Sequence, residues 1–177
     1  MKKWTINKLK ILKKIKYEAE RKFTKRLFSR FDSLTGAYSE GTFFFDYKNK
    51  LLMNFNYFLD LDNFKQVNEK LGPIAASKCL ADYIRQLHRM MGDRQFKIYR
   101  LGGDEFIITC SEEIELKSLQ KKLSTSHKGK KIYISGTAAR FKIRFHDKIN
   151  LENELAQSHF NVKSIKKRKK VYDLSVG

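Results

Sequence analysis

Residues 96–110 read FKIYRLGGDEFIITC. Two apolar runs, FKIYR at 96–100 and EFIITC at 105–110, flank Leu101-Gly102-Gly103-Asp104. The pattern predicts a β-hairpin with glycines placed where a positive φ is needed. Upstream, LLMNFNYFL at 51–59 reads as a buried strand and runs into Asp60-Leu61-Asp62. Carboxylates at a strand end or a turn tip are ordinarily just solvated. If the strand and the hairpin are neighbours in one sheet, however, Asp60 and Asp104 converge at one edge. Like charges that close repel and shift each other's pKa unless a cation sits between them. A hard, oxygen-ligated ion such as Mg²⁺ or Mn²⁺, held by one or two carboxylates plus substrate phosphates, relieves that conflict. Gly102 and Gly103 fit as well, since glycine lets backbone come close to a nucleotide.

Around this centre the chain alternates elements. A helix is expected at about 63–71, stopped by Gly72-Pro73, and a second at 74–91, where Ile74, Cys79, Leu80, Tyr83, Ile84 and Leu87 recur at a helical period. Strands are expected near 131–138 and 140–145, with a closing helix near 150–164. This order favours an α+β fold with a mostly antiparallel or mixed sheet and helices on one face. Residues 5–30 contain no Gly or Pro and place Leu12, Ile15, Ala19, Phe23, Leu27 and Phe31 three or four apart. That is the apolar face of an amphipathic helix, and Asp32-Ser33 with Gly36 ends it. The expected organisation is a basic N-terminal helix, 1–31, followed by one domain, 32–177.

The length of 177 residues suits one such domain. Net charge is +19, yet residues 1–31 and the run KSIKKRKK at 163–170 carry 16 of those charges. The basicity is local. Cys79 and Cys110, without metal-ligand spacing, read as free core thiols of a reducing compartment. No stretch approaches the roughly 18–20 apolar residues of a membrane span, and no signal peptide is expected. The reading is of a soluble, cytoplasmic protein.

Four segments in order resemble the GGDEF family of diguanylate cyclases. Arg100-Leu101-Gly102-Gly103-Asp104-Glu105-Phe106 matches its signature RxGGDEF, and FLDLDNFKQVNEKLG at 58–72 matches D-x-D-x-F-K-x-x-N-x-x-x-G. Asp32-Ser33-Leu34-Thr35-Gly36 is similar to its opening DxLTG, and Ile134-Ser135-Gly136 to a later strand. The resemblance implies a fold like the palm of nucleotidyl transferases. It also implies that two nucleoside triphosphates, one on each subunit of a homodimer, are joined by two 3′–5′ bonds. On that basis Asp60, Asp104 and Glu105 are the expected catalytic residues. Asp60, Asp104 and the Leu61 carbonyl would hold the metal, with Glu105 near the attacking hydroxyl. Phe64 and Lys65 would lie at the triphosphate and Asn68 at base and ribose.

The sequence departs from the family pattern in three places. Where the family continues H-x-x-G-D after Gly72, this chain has Pro73-Ile74-Ala75-Ala76-Ser77, so Ser77 replaces the guanine-reading Asp. A carboxylate accepts from guanine N1–H and N2–H₂ and repels the adenine N1 acceptor, whereas a hydroxyl donates or accepts. GTP is therefore the expected substrate with ATP as a second candidate, and family members with serine here resemble makers of cyclic GMP–AMP. The family's product-inhibition RxxD falls on Asp93 and Phe96, so no such site is expected. The family's phosphate-binding lysine and G-R-N are matched only loosely, with Arg168 on the arginine position and Lys163 or Lys167 supplying the second charge.

The N-terminal helix leaves three readings open: self-association or packing, an anionic membrane surface, or nucleic acid. A non-catalytic module that keeps the fold and binds nucleotide, protein or nucleic acid is the alternative function.

Overall fold

The computed structural model describes residues 30–143 and 148–175. The expected N-terminal helix therefore lies outside the described residues. In chain order the elements are β1 (Tyr38–Ser39), α1 (Glu40–Lys48), β2 (Phe55–Leu61), α2 (Phe64–Leu71), α3 (Pro73–Met91), β3 (Phe96–Gly102) and β4 (Glu105–Cys110). They continue as α4 (Leu116–Leu119), β5 (Leu123–His127), β6 (Lys130–Ile134), β7 (Gly136–Phe141) and α5 (Lys148–Ser175). Five strands form one sheet in the order β1-β3-β4-β2-β7, and only the short β1–β3 pair is parallel. The fold is α+β with a mostly antiparallel sheet.

Strand β2 lies inside this sheet, with every residue from Asn56 to Leu61 buried. Its side chains alternate between two cores. Tyr57, Leu59 and Leu61 meet Cys79, Leu80, Tyr83, Ile84 and Leu87 of α3. Phe58 joins Phe43 and Tyr47 of α1, Tyr99, Ile107, and Leu151 and Val162 of α5. Helices therefore cover both faces, not one. That is why Tyr57-Phe58-Leu59 runs apolar without a polar interruption: a strand buried on both sides has no polar face.

Helix α1 escapes periodicity because EGTFFFDYK sets three phenylalanines in a row while burying only Phe43, Asp46 and Tyr47. Ser39 caps it, accepting from the Thr42 amide at 3.3 Å. Buried Asp46 then ties α1 to the sheet, accepting from Lys97 Nζ and the Tyr99 hydroxyl, each at 2.7 Å. The strands expected at 131–138 and 140–145 are divided differently. β6 ends at Ile134 and pairs with β5 in a separate ribbon, whereas β7 enters the main sheet. The break falls at Ser135, whose carbonyl accepts the Asp62 amide at 2.8 Å. The closing helix is longer than 150–164, because residues 148–175 hold neither Gly nor Pro to stop it.

Gly136 begins β7 at a point of close approach. A Cβ there would lie 2.5 Å from Leu59 Cδ1 and 3.2 Å from the Tyr83 hydroxyl. Both neighbours are almost wholly buried, at 0% and 1% exposure, so neither has room to retreat. Overpacking of this kind costs roughly 1–3 kcal/mol, so Gly136→Ala is expected to lower the melting temperature by about 2–12 °C. An unchanged thermal melt would show that the Leu59 side chain gives way.

Candidate active site

The carboxylates of β2 and of the β3–β4 turn do converge. Asp60 pairs with Glu105 across the β2–β4 ladder, and the Leu61 amide donates to the Asp104 carbonyl at 3.2 Å. The ladder brings this about without any long loop: two antiparallel strands end together, and the acidic residues sit at that end. Of the two turn glycines only Gly103 has positive φ, at 47°. Gly102 does not, and its part of the expectation is corrected; the bend is taken up by a bulge between Arg100 and Gly102.

Arg100 locks the turn from below. Its Nε and Nη2 donate to the Gly103 carbonyl at 3.1 and 2.7 Å, and its Nη1 donates to Asp32 Oδ1 at 2.9 Å. Asp32 Oδ1 also accepts the Thr35 amide and hydroxyl at 2.9 and 2.6 Å. Burial works against its charge, but these hydrogen bonds outweigh it and hold the carboxyl below its usual value. The segment DSLTG thus braces the hairpin turn.

Asp60 is 8% exposed at the end of β2. Burial, and then the neighbouring Asp60 charge, push the Asp104 carboxyl above its usual range despite Lys166 and Arg100 nearby. Among the described residues no group of three or more His, Cys, Asp or Glu side chains is arranged to hold a metal. The oxygens present are the Asp60 and Asp104 carboxylates and the Leu61 carbonyl. This set suits a hard divalent ion that completes its shell with substrate oxygens and water. Asp62 is otherwise engaged: Ser135 and Thr137 hydroxyls donate to it at 2.8 and 2.7 Å, tying β2 to β7.

Beside the turn lies a cleft of about 370 Å³. Its lining brings together Phe64, Lys65, Asn68, Ser77, Gly103 and Asp104, with Leu34 and Arg100 from the bracing segments. Helices α2 and α3 form one wall, and Gly72, with φ 77°, turns the chain between them. Phe64 both lines the cleft and packs on the core below α3. Lys65 reaches into solvent, 90% exposed, and its 3.8 Å pair with Glu69 contributes little. Ser77 is half-buried one turn into α3.

The closing helix contributes differently from expectation. Lys163 is exposed and outside the cleft lining, and the Arg168 side chain lies outside the described residues. Lys166 instead places Nζ 2.6 Å from Asp60 Oδ1 and 2.6 Å from the Leu61 carbonyl oxygen. One helical face brings a second unforeseen residue: His159 Nε2 lies 3.1 Å from Glu105 Oε1, its ring stacked on Phe58 at 5.6 Å. The signal for both was helical phase. Leu151, Leu155 and Val162 face the sheet, and continuing that period by four residues reaches Lys166, not Lys163. At the expected RxxD positions, Asp93 is exposed and Phe96 packs against His88 at 5.1 Å.

A family model described as diguanylate cyclase, GGDEF domain, matches residues 29–161. The chain belongs to the GGDEF domain family. This GGDEF domain is 30% identical over 82 residues to the probable diguanylate cyclase DgcF of Escherichia coli K12, a match covering 44% of the chain and 26% of DgcF. The chain thus spans about a quarter of that relative. The fold is similar to the diguanylate cyclase SiaD of Pseudomonas aeruginosa, solved with its activator SiaC. The TM-score is 0.64 at 16% identity, over 90% of this chain and 68% of that one. DgcB of Caulobacter crescentus, a coiled coil and GGDEF domain in complex with c-di-GMP, gives a TM-score of 0.62 at 13% identity, over 90% of each chain. At such identities these two likenesses establish the fold of the GGDEF domain and nothing finer.

Proposed function

We propose that this GGDEF domain is a cyclic-dinucleotide synthase, joining two nucleoside triphosphates in a metal-dependent reaction across a homodimer. The observation that carries the reading is the Asp60–Leu61 strand end lying beside Asp104, which lines the cleft with Phe64, Asn68 and Ser77. In each half-reaction a 3′-hydroxyl oxygen forms a bond to the α-phosphorus of the other nucleotide, pyrophosphate leaves with the broken bond's electron pair, and the hydroxyl proton is lost. A bound Mg²⁺ or Mn²⁺ would neutralise charge on the phosphate oxygens. The chain's own part is to position: Asp60 and Asp104 would hold the ion, Arg100 fixes the turn, and Asn68 and Ser77 would meet base and ribose. Glu105, held by His159, lies near the attacking hydroxyl. A single cleft holds one nucleotide, so two subunits must face each other. The catalytic unit is residues 32–177. The basic segment 1–31 would serve self-association, an anionic membrane surface or nucleic acid. No described helix is long and apolar enough to cross a membrane, and a triphosphate substrate suits a cytoplasmic site.

Incubating the purified chain with Mg²⁺ and GTP, ATP or both, with product analysis by mass spectrometry, tests the reading. A cyclic dinucleotide containing guanine is expected, with adenine incorporated when both substrates are present. Exclusive cyclic di-GMP would reject relaxed base choice. No product under any condition would favour the non-catalytic nucleotide-binding module, for which the loosely matched phosphate-binding residues of the closing helix speak.

A further inference from the structure

We propose that Lys166 is a resident cation of the metal position, and that a divalent ion binds there only by evicting it. The inference rests on the metal site of the proposed synthase. The Lys166 ammonium lies 2.6 Å from Asp60 Oδ1, 2.6 Å from the Leu61 carbonyl oxygen and 3.8 Å from Asp62 Oδ1. Two of those oxygens belong to the set assigned to the metal. The lysine side chain is 24% exposed and the Asp60 side chain 11%, so water screens the pair poorly. A Mg²⁺ ion sits about 2.0–2.1 Å from its oxygens. It cannot take the same lone pairs while an ammonium remains 2.6 Å from both of them, because the two cations would overlap and repel. Occupancy is mutually exclusive.

This arrangement makes helix α5 part of the metal site. Before an ion arrives, Lys166 compensates the Asp60 charge and moderates the raised carboxyl of Asp104. With nucleotide, the triphosphate adds negative charge, and the oxygens then hold a divalent ion better than a single ammonium. The metal-binding affinity of the nucleotide-free protein is lowered accordingly, since the ion must first displace a bound charge.

The test uses Mn²⁺ alone on the full chain, with free Mn²⁺ measured by electron paramagnetic resonance. Lys166→Met is expected to tighten Asp104-dependent Mn²⁺ binding about tenfold, within the roughly 5- to 150-fold usual for coupled binding. Unchanged or weakened binding in Lys166→Met, with wild-type binding still lost in Asp104→Ala, would overturn the lysine's role and leave the metal site standing. Binding indifferent to Asp104 in both backgrounds would overturn the metal site as well. A second readout needs no variant. Labelling of wild-type Lys166 by an amine-reactive reagent, quantified by mass spectrometry, is expected to rise when Mn²⁺ is added. Labelling that stays level at saturating Mn²⁺ would contradict eviction.

Discussion

Asp104→Ala is expected to cut cyclic-dinucleotide synthesis roughly a thousandfold or more, given several kcal/mol of metal-assisted charge stabilisation at about 1.4 kcal/mol per tenfold. The fold is expected to survive, and the reason is electrostatic. Burial and the charge of Asp60 raise the Asp104 carboxyl above its usual range, so its ionised form is penalised in the folded protein. Such a group binds its proton more tightly folded than unfolded. Its contribution therefore falls as pH rises from the ordinary carboxylate range through the raised value. Removing the carboxylate lifts that penalty at neutral pH. In chelator, the melting temperature of the variant should match or exceed that of the wild type. Product mass spectrometry and thermal melts check both halves. Retained synthesis would remove Asp104 from the metal site, and a collapsed fold would make its role structural.

Ser77→Asp is expected to shift base choice toward guanine by about 5- to 150-fold, the factor equivalent to 1–3 kcal/mol for one bidentate base contact. Ser77 lines the cleft together with Asn68, half-buried on α3, where on the proposed reading a longer acidic side chain would face the base. A carboxylate there would accept both guanine donors and repel the adenine N1 lone pair; the native hydroxyl does neither decisively. The measurement is competitive incorporation of GTP against ATP, read as the ratio of the mixed and homogeneous products. An unaltered ratio would place base selection elsewhere in the cleft wall.

Much of the site was legible because its parts are local. The glycine turn, the apolar runs beside it and the acidic strand end all lie within two short segments, and the β2–β4 pairing that brings Asp60 beside Glu105 meets the one condition left open. Phe64, Asn68 and Ser77 came from the resemblance to the GGDEF family, and the structure brings all three into the cleft lining. What escaped was non-local or aperiodic. Helix α1 hides behind three consecutive phenylalanines, and β5, LSTSH, carries too little apolar character to show as a strand. The closing helix was placed but cut short. Motif position points to Lys163 and Arg168 among its basic residues, whereas helical phase brings Lys166 to Asp60 and the Leu61 carbonyl.

From the residues alone came the hairpin, the buried strand and a carboxylate at the end of each, since hydrophobic runs and a glycine turn act over a few neighbours; the β2–β4 pairing joins those ends. Tertiary structure alone decided which cation meets those carboxylates. Packing of Leu151 and Val162 against the sheet sets the rotation of α5, and that rotation turns Lys166 inward onto Asp60 and the Leu61 carbonyl. A helix face is chosen by what it packs against, and a run of lysines carries no record of it.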